Sequence, residues 1–169
     1  LRAKNAYGAS KIAGEVYCRL AAQQGLETVV LRLANVYGPV NRDRVIPLFA
    51  AAARARLPIT VFGGQKILDF VWIDVVVDAL IQAAFGSYMR DPANIGSGKG
   101  TRIVDLARRM VGLSGSVSKI EGVDKREQEV GRFVADISRA KRMLRSRNPR
   151  IRCGLYRKLF RTHREKHDQ

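Results

Sequence analysis

Within residues 7–24 the apolar side chains Ile12, Val16 and Leu20 recur every four positions, and Gly25 follows them. A four-residue repeat keeps one helix face apolar and a glycine suits a left-handed stop, so the pattern predicts an amphipathic helix closing at Gly25. Residues 28–34 (Thr-Val-Val-Leu-Arg-Leu-Ala) are rich in β-branched side chains and almost continuously apolar. That is the pattern of a strand covered on both faces, and Gly38-Pro39 then breaks it. Further on, the pattern predicts a helix over 46–56, a short strand over 59–62, a turn at Gly63-Gly64 and an extended piece over 69–73. A helix over 74–85 opens on Asp74, a residue suited to an N-cap. Residues 94–97 read as a strand end, and Thr101 as the cap of a helix reaching about Val111. After Gly122 the chain turns charged. Asp136 then caps a short basic helix, and Leu155, Tyr156, Leu159 and Phe160 mark a last amphipathic helix. Strands and helices alternate, which predicts an α/β fold with a mainly parallel sheet, at least in the first half.

Composition bounds this picture without changing it. A chain of 169 residues with 46% hydrophobic content can build one ordinary domain or part of a larger one. Cys18 and Cys153 have no close spacing, which argues against a disulfide or zinc framework and for a reducing, cytoplasmic setting. The longest apolar run, residues 75–85, is interrupted by Asp78 and Gln82, and no membrane span is expected. The net charge of +16 is uneven: residues 139–169 carry 12 Lys/Arg against 2 Asp/Glu. Such a tail can attract nucleic acid or an acidic surface, but a solvated basic helix end explains it more simply.

Charge therefore does not point to the chemistry, and individual residues must. Tyr7 and Lys11 stand four apart on the first helix, where side chains lie one above the other with Cβ atoms roughly 5–6 Å apart. The spacing permits an acid/base pair and equally an ordinary polar face. Two other stretches are weaker. The stretch from Gly96 to Thr101 (Gly-Ser-Gly-Lys-Gly-Thr) lacks the Lys-Ser/Thr step of a phosphate loop, because Gly100 intervenes, and reads as a strand-to-helix turn. His163 and His167 share a helix face, but Arg164 stands where a zinc protease needs glutamate, so no metal site is assigned. A dinucleotide domain opens with a strand, a glycine-rich turn and a helix. No such stretch precedes Tyr7, and the chain is expected to be the C-terminal half of a longer protein.

Seven segments, in order, carry a resemblance. They are Tyr7-Gly8-Ala9-Ser10-Lys11 with Glu15; Leu31-Arg32-Leu33-Ala34-Asn35-Val36-Tyr37-Gly38-Pro39; Val45-Ile46-Pro47; Val61-Phe62-Gly63; Asp69-Phe70-Val71-Trp72-Ile73-Asp74; Asn94-Ile95-Gly96-Ser97-Gly98; and Ala135-Asp136-Ile137-Ser138-Arg139-Ala140-Lys141. Together they resemble the extended short-chain dehydrogenase/reductase superfamily, in particular the nucleotide-sugar epimerases and dehydratases such as UDP-glucose 4-epimerase. The resemblance implies the C-terminal part of a Rossmann-like doubly wound parallel sheet with a smaller α/β substrate-binding region, the N-terminal βαβ half being absent. Residues 1–138 would hold this catalytic and substrate-binding unit, and residues 139–169 a basic helical tail.

The same resemblance implies the site. Tyr7 would exchange a proton with a sugar hydroxyl while hydride passes between the sugar and NAD. That chemistry needs a phenol more acidic than the ordinary ~10, and Lys11 would favour the phenolate while bonding the nicotinamide ribose. The backbone at Ala34 would face nicotinamide. Asn35 would contact the substrate diphosphate, Phe62 would flank the nucleotide base, and Arg126 would bind phosphate through its guanidinium fork. Each keeps a plainer reading, Asn35 as a turn residue, Phe62 as core and Arg126 as part of a charged loop. Leu68 departs from the family, which commonly has arginine before Asp-Phe, and this argues against tight binding of an ordinary UDP-sugar. The implied protein is an NAD-dependent nucleotide-sugar enzyme, most plausibly a UDP-sugar 4-epimerase and a homodimer. The 169 residues alone are expected to bind NAD weakly or not at all and to be inactive. The rivals are a non-catalytic relic serving as a binding or oligomerisation module and, less favoured, a basic nucleic-acid-binding protein.

Overall fold

A computed structural model describes residues 3, 5–40, 43–85, 91–124 and 130–143. Arg126, both histidines, Cys153 and the amphipathic segment at Leu155–Phe160 lie outside these residues. The first element, α1 (Ala6–Gln23), is capped by Asn5, whose side chain accepts the Gly8 N–H at 2.8 Å. It ends as expected: Gly25 takes a φ of 93°, and the Leu26 N–H returns to the Ala21 carbonyl. The covered face of α1 differs from the predicted stripe. Val16 and Leu20 are 43% and 49% exposed, whereas Ile12, Glu15 and Cys18 are half-buried. On that covered face Glu15 meets Arg32 of the next strand in a two-pronged ion pair.

That strand, β1 (Leu31–Leu33), is shorter than residues 28–34, and Leu33 stays exposed rather than covered on both faces. Its described partner is β5 (Ala93–Ile95), which it meets in parallel register, Leu31 opposite Ala93. The Ala34 N–H donates to the Ile95 carbonyl at 2.8 Å, and the chain then leaves that ladder. β2 (Asn35–Tyr37) pairs instead in parallel with β4 (Ile67–Trp72), Asn35 opposite Phe70 and Tyr37 opposite Trp72. The Tyr37 and Trp72 rings meet edge to face at 5.2 Å. Gly38 is required where it stands, since a Cβ there would lie 2.8 Å from Ile73 Cγ2.

α2 (Val45–Arg54) stops two residues before the predicted limit. Arg56 takes a positive φ of 55°, and the Leu57 N–H turns back to the Ala52 carbonyl. β3 (Ile59–Phe62) has the predicted bounds and runs parallel to β7 (Ile120–Val123). α3 (Ile73–Phe85) begins at Ile73, so Asp74 lies inside its first turn and accepts the Trp72 indole N–H at 2.7 Å. Thr101 is not a cap. It belongs to β6 (Gly100–Arg102), antiparallel to β4 and opposite Leu68, and Arg102 precedes α4 (Ile103–Ser114). β8 (Arg132–Phe133) lies parallel to β4, and Asp136 accepts the Ser138 N–H at the start of α5 (Ser138–Met143). That N–H first, then the Ser138 hydroxyl and the nearby Arg142 and Arg139, hold the Asp136 carboxyl below its ordinary value.

β4 divides the core because successive strand side chains point to opposite faces. Phe70 and Trp72 pack with Ile46, Phe49, Leu106 and Met110 of α2 and α4, while Val71 packs with Val76, Ala93 and Ile95 on the other side. The architecture is mixed α/β with mainly parallel ladders.

Candidate active site

α1 crosses β1 in the opposite direction, as two contacts fix. Thr28 donates its hydroxyl to the Cys18 carbonyl at 3.1 Å. Four residues later, Arg32 grips Glu15 through Nε to Oε1 at 2.7 Å and Nη2 to Oε2 at 2.6 Å. As the strand advances, the helix is met nearer its N-terminus. Lys11 and Tyr7 precede Glu15 by four and eight residues, or about 6 and 12 Å at the helical rise of ~1.5 Å per residue. Asn35 lies three residues beyond Arg32, about 10 Å along an extended chain. Tyr7, Lys11, Ala34 and Asn35 are therefore all carried toward the carboxyl end of β1, the side on which open α/β sheets hold ligands.

Tyr7 is 71% exposed, and the Lys11 ammonium stands over its ring, 5.2 Å from the centroid. The Tyr7 ring is thus exposed, with a cation over its face. Asn35, at the start of β2, uses one amide hydrogen to donate to the Asp69 carbonyl at 2.9 Å. The guanidinium of Arg32 holds the Glu15 carboxyl below its ordinary 4.5. Stability from this pair is present at and above that value and is lost as pH falls through the lowered one. Melting curves of the chain and of Glu15→Gln should differ by no more than ~1 kcal/mol near neutrality, because the pair is only partly sheltered. The difference should vanish in acid; a constant difference at all pH values would sink this account.

Phe62, a predicted site residue, and Leu68, the departure from the family pattern, stand apart from that edge. Phe62 ends β3, in the separate ladder with β7 and opposite Val123. Leu68 is half-buried, packs against the α2–α4 core and lies opposite both Thr101 and Phe133. It is a packing residue, and its side chain carries no charge for a diphosphate. Asp69 follows it in β4. It is fully buried, and its carboxylate accepts the Ser97 N–H and hydroxyl on one oxygen and the Gly98 and Ala135 N–H groups on the other. The signal was available, since an acid inside the apolar run of residues 67–72 is costly unless it is fully hydrogen-bonded.

Residues 1–96 match the NAD dependent epimerase/dehydratase family. The chain belongs to that family. Among its relatives, the uncharacterized UDP-glucose epimerase YtcB of Bacillus subtilis is 32% identical over 143 residues, covering 82% of this chain and 45% of YtcB. UDP-glucuronic acid decarboxylase 1 of Xenopus tropicalis is 30% identical over 143 residues, covering 82% of this chain and 34% of that protein. Among solved structures, the Thermotoga maritima UDP-glucose 4-epimerase with UDP-glucose matches at a TM-score of 0.82 and 28% identity, over 92% of this chain and 53% of the other. The fold is thus the Rossmann-like one of these enzymes, and the chain spans about half the length of the relatives it matches, or less.

The family is NAD-dependent. Among the described residues, Tyr7 and Lys11 present a hydroxyl and an ammonium, groups chemically able to hydrogen-bond a ribose. For the dinucleotide's pyrophosphate the sequence contains no G-x-G-x-x-G or G-x-x-G-x-x-G stretch, so the 169 residues do not supply the usual backbone cradle. Among the described residues no group of three or more His, Cys, Asp or Glu could hold a metal, and no helix is long and apolar enough to cross a membrane.

Proposed function

We propose that this chain is the substrate-side and proton-transfer half of an NAD-dependent UDP-sugar 4-epimerase. The observation that carries the reading is the Lys11 ammonium over the exposed Tyr7 ring, on a helix that Glu15 and Arg32 aim at the carboxyl end of β1. Tyr7 Oη is proposed to take the proton from a sugar hydroxyl and return it, while Lys11 balances the charge and holds the ribose. Asn35, with one amide hydrogen and its carbonyl oxygen still available, orients the diphosphate. NAD, when bound, supplies the hydride acceptor and donor. The 4-epimerase assignment is favoured by YtcB and the Thermotoga maritima enzyme.

With Leu68 in place of arginine, the remaining cation for the diphosphate is proposed to be Arg126. Two copies are proposed to pair through the outward face of α1, where Val16, Tyr17 and Leu20 are exposed; light scattering that finds only monomer at high concentration would remove this part. The function itself is tested by joining these 169 residues to the cofactor half of YtcB and following UDP-glucose by NMR. UDP-galactose is the expected product. A dehydrated product, or a folded chimera that binds NAD and turns over nothing, overturns the 4-epimerase reading.

A further inference from the structure

We infer that Asp69 is the positioning residue of the substrate face, the buried group that sets where Asn35 stands. The inference rests on the proposed nucleotide-sugar reading for its ligand, but not for its geometry. Asp69 occupies the same side of β4 as Val71, pointing toward the junction of β1, β2 and β5. Its side chain is wholly buried, and both of its oxygens are taken up by donors from the chain itself. Those donors come from two distant segments, the Ser97–Gly98 turn after β5 and Ala135 before α5, at separations of 28, 29 and 66 residues.

Next to this carboxylate the packing leaves no slack. A Cβ added to Gly96 would lie 2.7 Å from Asp69 Oδ2, 2.9 Å from the Ala135 Cβ and 3.2 Å from the Ala34 Cβ. Asp69, Gly96, Ala135 and Ala34 therefore meet at one point, and Ala34 is the residue at which the chain passes from β1 to β2. The Asp69 carbonyl then accepts the Asn35 amide at 2.9 Å. With the carboxylate pinned from one side, the carbonyl of the same residue is fixed on the other, and Asn35 inherits that rigidity. One Asn35 amide hydrogen is spent on this bond, and among the described residues the second N–H and the side-chain oxygen are left to meet a ligand. A diphosphate accepts hydrogen bonds and does not donate them when ionised, so the second N–H is the group it would use.

The role predicts an effect on the Asn35 amide that loss of stability alone would not produce. The test uses the 169-residue chain with Asp69→Asn, which puts an amide N–H₂ against donors, and Ser97→Ala, which removes the hydroxyl's bond to Asp69 together with its two bonds to the Lys99 backbone and leaves the Ser97, Gly98 and Ala135 N–H groups on the carboxylate. Solvent exchange of the Asn35 side-chain amide is read by NMR without ligand, UDP-glucose affinity by calorimetry, and folding by thermal melt. In both variants the Asn35 amide should exchange several-fold faster at temperatures where the chain is fully folded. The UDP-glucose Kd should rise ~10-fold or more in Asp69→Asn, the scale of one lost bond to a carboxylate. If Asp69→Asn does not fold, Ser97→Ala, which should melt within a few degrees of the parent, carries the decision with the same readout. Lowered melting with unchanged Asn35 exchange would make Asp69 a structural residue only and overturn the inference. If the parent residues joined to the YtcB cofactor half also fail to bind UDP-glucose, the nucleotide-sugar reading falls, and the ligand-free Asn35 exchange still decides the positioning role.

Discussion

Tyr7→Phe, made in the chimera with the YtcB cofactor half, should lower kcat for UDP-glucose epimerisation by about 100- to 10,000-fold, the usual contribution of a placed acid/base group. The substitution removes one oxygen from an exposed ring, so neither packing nor folding should change. The aromatic face beneath the Lys11 ammonium also remains. UDP-glucose affinity should stay close to that of the parent, because the oxygen acts in the transition state rather than in ground-state binding. A parallel loss of affinity and kcat would show the tyrosine to be a binding residue. An unchanged kcat would remove the proton-transfer role altogether.

The largest loss of stability is expected from Leu106→Ala. Leu106 is 0% exposed, in the cluster that joins α4 to α2 and to the Phe70 and Trp72 face of β4. Truncating it removes buried methyl groups and leaves a cavity that two packed helices cannot easily close, at a cost of about 2–5 kcal/mol. Set against a typical total of roughly 5–15 kcal/mol, that is enough to unfold a marginal domain. Urea denaturation should show the midpoint falling with little change in slope. A loss below ~1 kcal/mol would mean that the α2–α4 interface repacks freely.

What the sequence revealed about this molecule depended on how far each element reaches for its partners. The strand at residues 59–62 was read with its bounds intact, because Ile-Thr-Val-Phe alternates and Gly63 stops it locally. The helix carrying Tyr7 and Lys11 was found for similar reasons, ending at Gly25 within its own few residues. β6 and β8 were missed. They are three and two residues long and exist because Ile67 finds Arg102 on one side and Arg132 on the other. Thr101 resembled a helix cap in isolation, yet its position is fixed by Leu68 across the ladder. The inward face of α1 was read in part: of the apolar stripe Ile12, Val16 and Leu20 only Ile12 is half-buried, and Glu15, paired with Arg32, shares the covered face. In the candidate site, the motifs single out Tyr7, Lys11 and Asn35, which α1 and β2 carry toward the carboxyl end of β1. Asp69 was not assigned a role, since its donors lie 28 to 66 residues away.

One consequence follows from the way α1 is held. No side chain of this helix is fully buried, and Arg32–Glu15 and Thr28–Cys18 are its polar ties to the β1 segment. The α2–α4 interface is closed by Ile46, Leu106 and Met110, all at 0% exposure. Local opening of α1 therefore costs less than opening of that core, and its amides should be among the first to exchange with solvent. The groups proposed to do the chemistry ride on an element that opens more readily than the α2–α4 core. A ligand that grips Tyr7 and Lys11 must draw on the closed fraction alone, so its measured affinity is the intrinsic one reduced by that fraction. Any partner surface that covers α1 would raise affinity at the site without touching the ligand.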